Sequence, residues 1–93
     1  MPITVHVPGY LCDVTGGRSL VALEATPATV GEALLALAAL HPGVRDRVIN
    51  GQGQVRPHVN VFVGRESILR TGGLGTPLGD GAELYILPAV SAG

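Results

Sequence analysis

TGGLGTPLGDG, residues 71–81, lies between two apolar alternations near the end of the chain, and its reading decides the fold. Five of its eleven residues are glycine, and each glycine in a helix interior costs about 1 kcal/mol relative to alanine. The stretch therefore reads as a loop, with Gly79, Asp80 and Gly81 bending the chain sharply. A ferredoxin-like split βαβ arrangement needs a second substantial helix at this place and is set aside.

Working outward, VNVFV at 59–63 alternates strictly, sending Val59, Val61 and Val63 inward and Asn60 and Phe62 outward. GRE turns the chain into a brief strand, SILR. After the loop, AELYIL at 82–87 places Leu84 and Ile86 inward and Glu83, Tyr85 and Leu87 outward. At the other end ITVHV puts Ile3, Val5 and Val7 on one face and Thr4 and His6 on the other. PGYLCDVTGG reads as the turn-rich connection to a second strand, SLVALE.

One helix is expected. Thr29 and Glu32 have the S/T-x-x-E spacing in which the two side chains satisfy unpaired amides of a helix start. Val30, Ala33, Leu34, Leu37 and Leu40 then form one apolar stripe, until Pro42 and Gly43 stop the run. A short helical turn at 44–49 and a glycine-rich loop, NGQGQVRP, follow. The order strand, strand, helix, strand, short strand, strand with a single covering helix is that of an α+β domain.

Composition limits what such a domain does. The 93 residues are 46% apolar and 14% charged, too hydrophobic to stay unfolded. A net charge of -1 supplies no basic footprint for nucleic acid or anionic lipid. The single cysteine, Cys12, cannot form an internal disulfide, which fits a reducing compartment. MPITVHVPGY lacks the pattern of a signal peptide, and ALLALAAL at 33–40 is too short to span a bilayer. A cytoplasmic protein without nucleic-acid or membrane partners is expected.

Catalytic signatures are weak. His6, His41 and His58 show no metal-ligand spacing with Cys12 or one another. Cys12 has no adjacent basic residue to activate it and reads as a small, partly buried hydrophobe. The glycines of 71–81 lack G-x-G-x-x-G spacing and a following lysine, and they precede a strand. No metal and no catalytic residue is assigned.

Two features remain. Phe62, Tyr85 and Leu87 point away from the helix side; if their strands are neighbours they make an apolar docking patch, while singly exposed apolar residues are also ordinary. Beyond the body at 1–87, the segment 88–93 begins with Pro88, which removes a ladder donor, and continues with Ala89, Val90, Ser91, Ala92 and Gly93. Read by its residues alone, this uncharged segment of small side chains is equally a frayed end or a tail able to thread a narrow channel.

The element order with VNVFV, GGLGTPLGDGAELYILPAV and the small terminal residues resembles the ubiquitin-like β-grasp sulfur carriers, the group of the molybdopterin synthase small subunit and the thiamine sulfur carrier. TGGRSLVALEA and the opening ITVHVP look most like the carriers of a cysteine-forming pathway. The resemblance implies a mixed sheet of four to five strands with one main helix across one face. It also implies a carrier, not an enzyme, whose Gly93 carboxylate is adenylated by an E1-like enzyme and converted to a thiocarboxylate for a sulfur-accepting synthase, in cysteine or molybdopterin biosynthesis. No cofactor is bound; ATP is consumed by the activating partner. Pro88, Ala89 and Val90 match the lead-in to the modified glycine.

One departure stands out. The family ends in Gly-Gly, whereas this chain ends in Ala92 and Gly93. Where an activating enzyme holds the penultimate residue at positive φ, alanine costs on the order of 1 kcal/mol or more. The alternative is thus a β-grasp binding module that docks without being activated. All six basic residues are arginine, so no side-chain amine is available to accept a second copy; this suits a carrier better than a chain-building modifier, but wholesale replacement of lysine by arginine in a GC-rich genome is the weightier explanation. The outer patch leaves room for a homo-oligomer.

Overall fold

The computed structural model describes residues 3–24 and 27–88. Five strands form one mixed sheet in the order β2-β1-β5-β3-β4. They are β1 (Ile3–His6), β2 (Leu20–Leu23), β3 (Val59–Val63), β4 (Glu66–Ser67) and β5 (Glu83–Pro88). β1 runs antiparallel to β2 and parallel to β5, and β3 runs antiparallel to both β5 and β4. The first and last strands therefore lie side by side in the middle of the sheet, and β2 and β4 are its edges.

Strand alternation sorts the faces as expected. Ile3, Val5, Val21, Leu23, Val59, Val61, Leu84 and Ile86 are buried on one side and share a single core with Val30, Ala33, Leu34 and Leu37 of the main helix, α1 (Val30–Leu40). Each fully buried Leu, Ile or Val removes enough apolar surface from water to contribute roughly 1.5–3 kcal/mol. The other side of the sheet carries Thr4, His6, Asn60, Phe62, Glu83, Tyr85 and Leu87 and is not covered by α1.

The helix starts where the spacing places it. Thr29 is the N-cap, and its Oγ1 accepts from the Glu32 amide at 3.3 Å. Glu32 reaches back one residue further than the standard capping box and accepts from the Ala28 amide at 3.3 Å. A third helix-start amide, that of Val30, donates to the Thr76 carbonyl at 3.0 Å, while the Leu78 amide donates to the Ala28 carbonyl at 2.8 Å. The glycine-rich stretch is thus stitched to the N-terminus of α1. Replacing Thr29 by Ala is expected to cost about 1 kcal/mol, read as a drop of roughly 5 °C in the thermal midpoint.

Several expectations are corrected. Leu40 does not join the buried stripe: it is 58% exposed, and Ala38 is buried in its place. At 100° per residue, Ala38 continues the i, i+4, i+8 row of Val30 and Leu34, whereas Leu40 falls at the margin of the stripe in the last helical turn. Leu40 instead borders a shallow depression with Ala22, Leu23, Glu24, Ala36 and Ala39.

Pro42 ends α1 but also opens α2 (Pro42–Val48), occupying the first helical position, where the absent N–H is not missed. The helical segment thereby starts two residues earlier than the one expected at 44–49, and it ends one residue earlier. PGYLCDVTGG is not only a turn: Gly9–Val14 form a 3-10 helix. It packs against α2 so closely that a Cβ on Gly43 would meet Val14 Cγ1 at 2.9 Å.

SILR is likewise not a strand. β4 stops at Ser67, whose Oγ accepts from the Leu69 amide at 3.3 Å and caps a single turn, α3 (Ile68–Thr71). The local hydrogen-bonding capacity of serine overrides the strand propensity of Ile68. Gly72 closes that turn at φ 121°, a conformation that favours glycine. Among the described residues no buried side-chain nitrogen or oxygen lacks a partner. Thr15 and Thr76, both buried, donate to the carbonyls of Arg18 and Gly73 at 2.7 Å each.

Candidate docking face

The face of the sheet turned away from α1 is organised by register. Leu20 on β2 pairs with His6 on β1, His6 with Tyr85 on β5, Tyr85 with Phe62 on β3, and Phe62 with Ser67 on β4. One row of side chains therefore runs across the whole sheet. Residues directly opposite on neighbouring strands stand about 5 Å apart at Cβ, close enough for their side chains to form a continuous surface.

The three residues expected to form a patch do come together. Phe62, Tyr85 and Leu87 line one open depression with Gly64, Arg65 and Glu83. Phe62 and Tyr85 are half-buried, and Leu87 is 42% exposed beside Asn60. Leu20, at 55% exposed, extends the apolar row at the β2 edge.

His6 is the residue that sequence reasoning missed. Its ring stacks on Tyr85 with centroids 4.1 Å apart and planes 9° from parallel. Its Nε2–H donates to Glu83 Oε1 at 2.7 Å. Stacking and hydrogen bond together hold the Tyr85 ring in one place, so the centre of the face is pre-organised before a partner arrives. Alternation already put His6 and Glu83 on the outer face. The missing information was that the first strand lies next to the last, which no local pattern states.

Other candidate residues disperse. Cys12 is half-buried, with Sγ 3.6 Å from the carbonyl oxygens of Pro8 and Arg18, as suits a packed small side chain. Among the described residues no three His, Cys, Asp or Glu side chains gather as a metal-binding group, and no helix is long and apolar enough to cross a membrane. Pro88 does not lie beyond the ladder: it is the last residue of β5, in register with Val59. Ala89, Val90, Ser91, Ala92 and Gly93 lie outside the described residues. β5 thus carries Tyr85 and Leu87 of the outer patch and leads directly into the segment that contains them.

Comparison with known proteins bears on this arrangement. Residues 5–93 match the ThiS family. The chain is 35% identical over 95 residues to the sulfur carrier protein CysO of Mycobacterium tuberculosis, covering 100% of both chains. It is also 35% identical over 81 residues to the small archaeal modifier protein 3 of Haloferax volcanii, covering 87% of each. Among solved structures, a chain in the crystal structure of the Amycolatopsis orientalis BexX/CysO complex superposes with a TM-score of 0.86 at 36% identity, covering 98% of this chain and 99% of that one.

Proposed function

The chain belongs to the ThiS family of ubiquitin-like sulfur carriers, and from that premise we propose that its Gly93 carboxylate is the site of loading. The carboxylate attacks the α-phosphorus of ATP on an E1-like enzyme, pyrophosphate leaves, and an acyl-adenylate forms. A hydrosulfide-level donor then attacks the acyl carbon and AMP leaves, giving the thiocarboxylate. Adenylation is needed because a free carboxylate is a poor electrophile without a leaving group. The loaded protein passes sulfur to a synthase in the cytoplasm, in cysteine or molybdopterin biosynthesis. The chain holds no cofactor of its own.

What carries this reading is the full-length relation to a protein named as a sulfur carrier, joined to a body whose central strand leads into the tail. Phe62, Tyr85 and Leu87 serve as the docking patch, and Pro88, Ala89, Val90, Ser91 and Ala92 lead Gly93 to the active site of the partner. Intact mass after incubation with ATP, the activating enzyme and a sulfur source tests it: one oxygen replaced by sulfur is the expected result. An unchanged mass with every E1-like enzyme of the source organism would reject it.

Docking energy concentrates at buried aromatic anchors. Tyr85→Ala is therefore expected to weaken binding to the activating enzyme by about tenfold or more, measured by calorimetry. Its Tm should change little, because the ring lies on the side of the sheet away from the core.

A second reading has its own observation. Ala92 stands where the family has glycine, and one relative is named a modifier. On that reading the protein is a binding module that docks and is not loaded. The wild-type chain then binds its partner without gaining sulfur, whereas on the first reading it gains sulfur and loses that ability when Gly93 is removed.

A further inference from the structure

The docking face is chemically lopsided. At its centre the acid is satisfied: Glu83 accepts a hydrogen bond from His6 at 2.7 Å. At the β3–β4 end the basic groups are not. Arg65, at the turn after β3, and Arg70, in α3, line one depression together with Phe62, Glu66 and Ser67. Both arginines are exposed, and neither has a hydrogen bond or ion pair with any described residue. By contrast, Arg47 sits 3.6 Å from Asp13, and Arg56 Nε donates to the Asp46 carbonyl at 2.7 Å.

Of the two nearby acids, Glu83 is taken by His6, and Glu66 forms no ion pair with either arginine. Register sets Ser67 opposite Phe62 and Glu66 opposite Val63 at the end of the short ladder, and with Glu66 at its border the depression holds two positive charges against one negative. Leu69, on the same short helix as Arg70, is 83% exposed, more than any other large apolar side chain described. Phe62 and Arg65 line this depression as well as the one holding Tyr85 and Leu87, so the two are one continuous surface.

We infer that this end of the face receives an acidic segment of the activating enzyme, whose carboxylates pair with Arg65 and Arg70 while an apolar side chain enters beside Phe62. Two guanidinium groups against the single carboxylate of Glu66 leave the depression with a net positive charge that a further carboxylate would neutralise. Guanidinium groups suit the task, because their planar forks bind carboxylates bidentately and shed water more readily than an ammonium does. Such pairs at a rim mainly steer the encounter and fix its orientation. The apolar centre would supply affinity, and the arginines would select which partner surface docks and which way round.

This inference rests on the sulfur-carrier reading, and two double variants separate them. Arg65→Glu/Arg70→Glu removes the proposed contacts. Arg18→Glu/Arg45→Glu makes the same change in net charge at two other exposed arginines that have no described side-chain partner. Association with the E1-like enzyme that loads the wild-type chain is followed by stopped flow across a salt series, with circular dichroism confirming the fold. The Arg65/Arg70 variant should bind about tenfold or more weakly at low salt, chiefly through a slower on-rate, and its affinity should depend less on salt. The Arg18/Arg45 variant should stay within about twofold of wild type.

Equal weakening of both variants would reduce the effect to net charge and overturn the inference, as would no weakening of either. A wild-type chain that binds a polyanion such as an RNA oligonucleotide through these arginines, with enzyme binding untouched by their reversal, would overturn it too. If the wild-type chain is loaded normally and the Arg65/Arg70 variant equally well, this inference alone falls. If no enzyme binds or loads the wild-type chain, the carrier reading falls and takes the inference with it.

Discussion

Deleting Gly93 is expected to abolish sulfur loading while the melting temperature and the docking affinity stay at their wild-type values. The reason is distance. One extended residue spans about 3.4 Å, so truncation withdraws the reacting carboxylate from the α-phosphate by that amount when the body is docked in the same place. Reacting atoms need to approach within about 3–3.5 Å, and a misplacement of about 1 Å can already cost a hundredfold in rate. A retreat three times larger leaves no measurable adenylation. The core that holds the body together is built from residues of the strands and helices up to Ile86, so stability has no cause to change. Intact mass, pyrophosphate release and calorimetry on the same sample read the three quantities. A truncated chain that still acquires sulfur would show that the terminal carboxylate is not the loading site.

Leu84→Ala is expected to produce the largest loss of stability of any single truncation on β5. Leu84 is 0% exposed, in register with Val5 on one side and Val63 on the other, and directed into the layer shared with α1. Shortening a buried leucine costs the lost transfer free energy plus the cavity left behind, together about 3 kcal/mol. For a domain of this size, that lowers the thermal midpoint by on the order of 15 °C and removes a large share of a total stability of about 5–15 kcal/mol. Leu87 provides the internal comparison. Three residues along the same strand and 42% exposed on the opposite face, its truncation should cost less than about 1 kcal/mol. Urea unfolding of the two variants measures the difference, and equal costs would mean that the two faces of β5 have been interchanged.

The elements that local chemistry dictates were legible without coordinates. Alternation in ITVHV, VNVFV and AELYIL assigned each residue to a face, because successive side chains of a strand point to opposite sides whatever the strand pairs with. Thr29 and Glu32 marked the helix start because the capping hydrogen bonds lie within one turn. The errors fell where two local tendencies compete. SILR has strand-forming residues, but Ser67 also caps a turn, and the cap prevailed. The run after Pro8 contains turn residues, yet it coils into a 3-10 helix that packs on α2.

The docking face divides in the same way. Phe62, Tyr85 and Leu87 could be placed outward from parity alone. His6, Arg65 and Arg70 became part of the site only through strand order and the β3–β4 turn, since residues 6 and 85 are brought into stacking contact by a parallel pairing between the two ends of the chain.

By itself, the sequence determined which strand residues face the core, where α1 begins and that the final residues are small and uncharged, because each of these depends on spacing over a few residues. Only the tertiary structure decided that the first and last strands are neighbours, that Tyr85 is held by His6, and that two arginines stand unpaired beside Phe62. Those contacts join residues far apart in the chain, and their pairing is selected by the burial of a common core, a property of the whole fold that no short window of sequence contains.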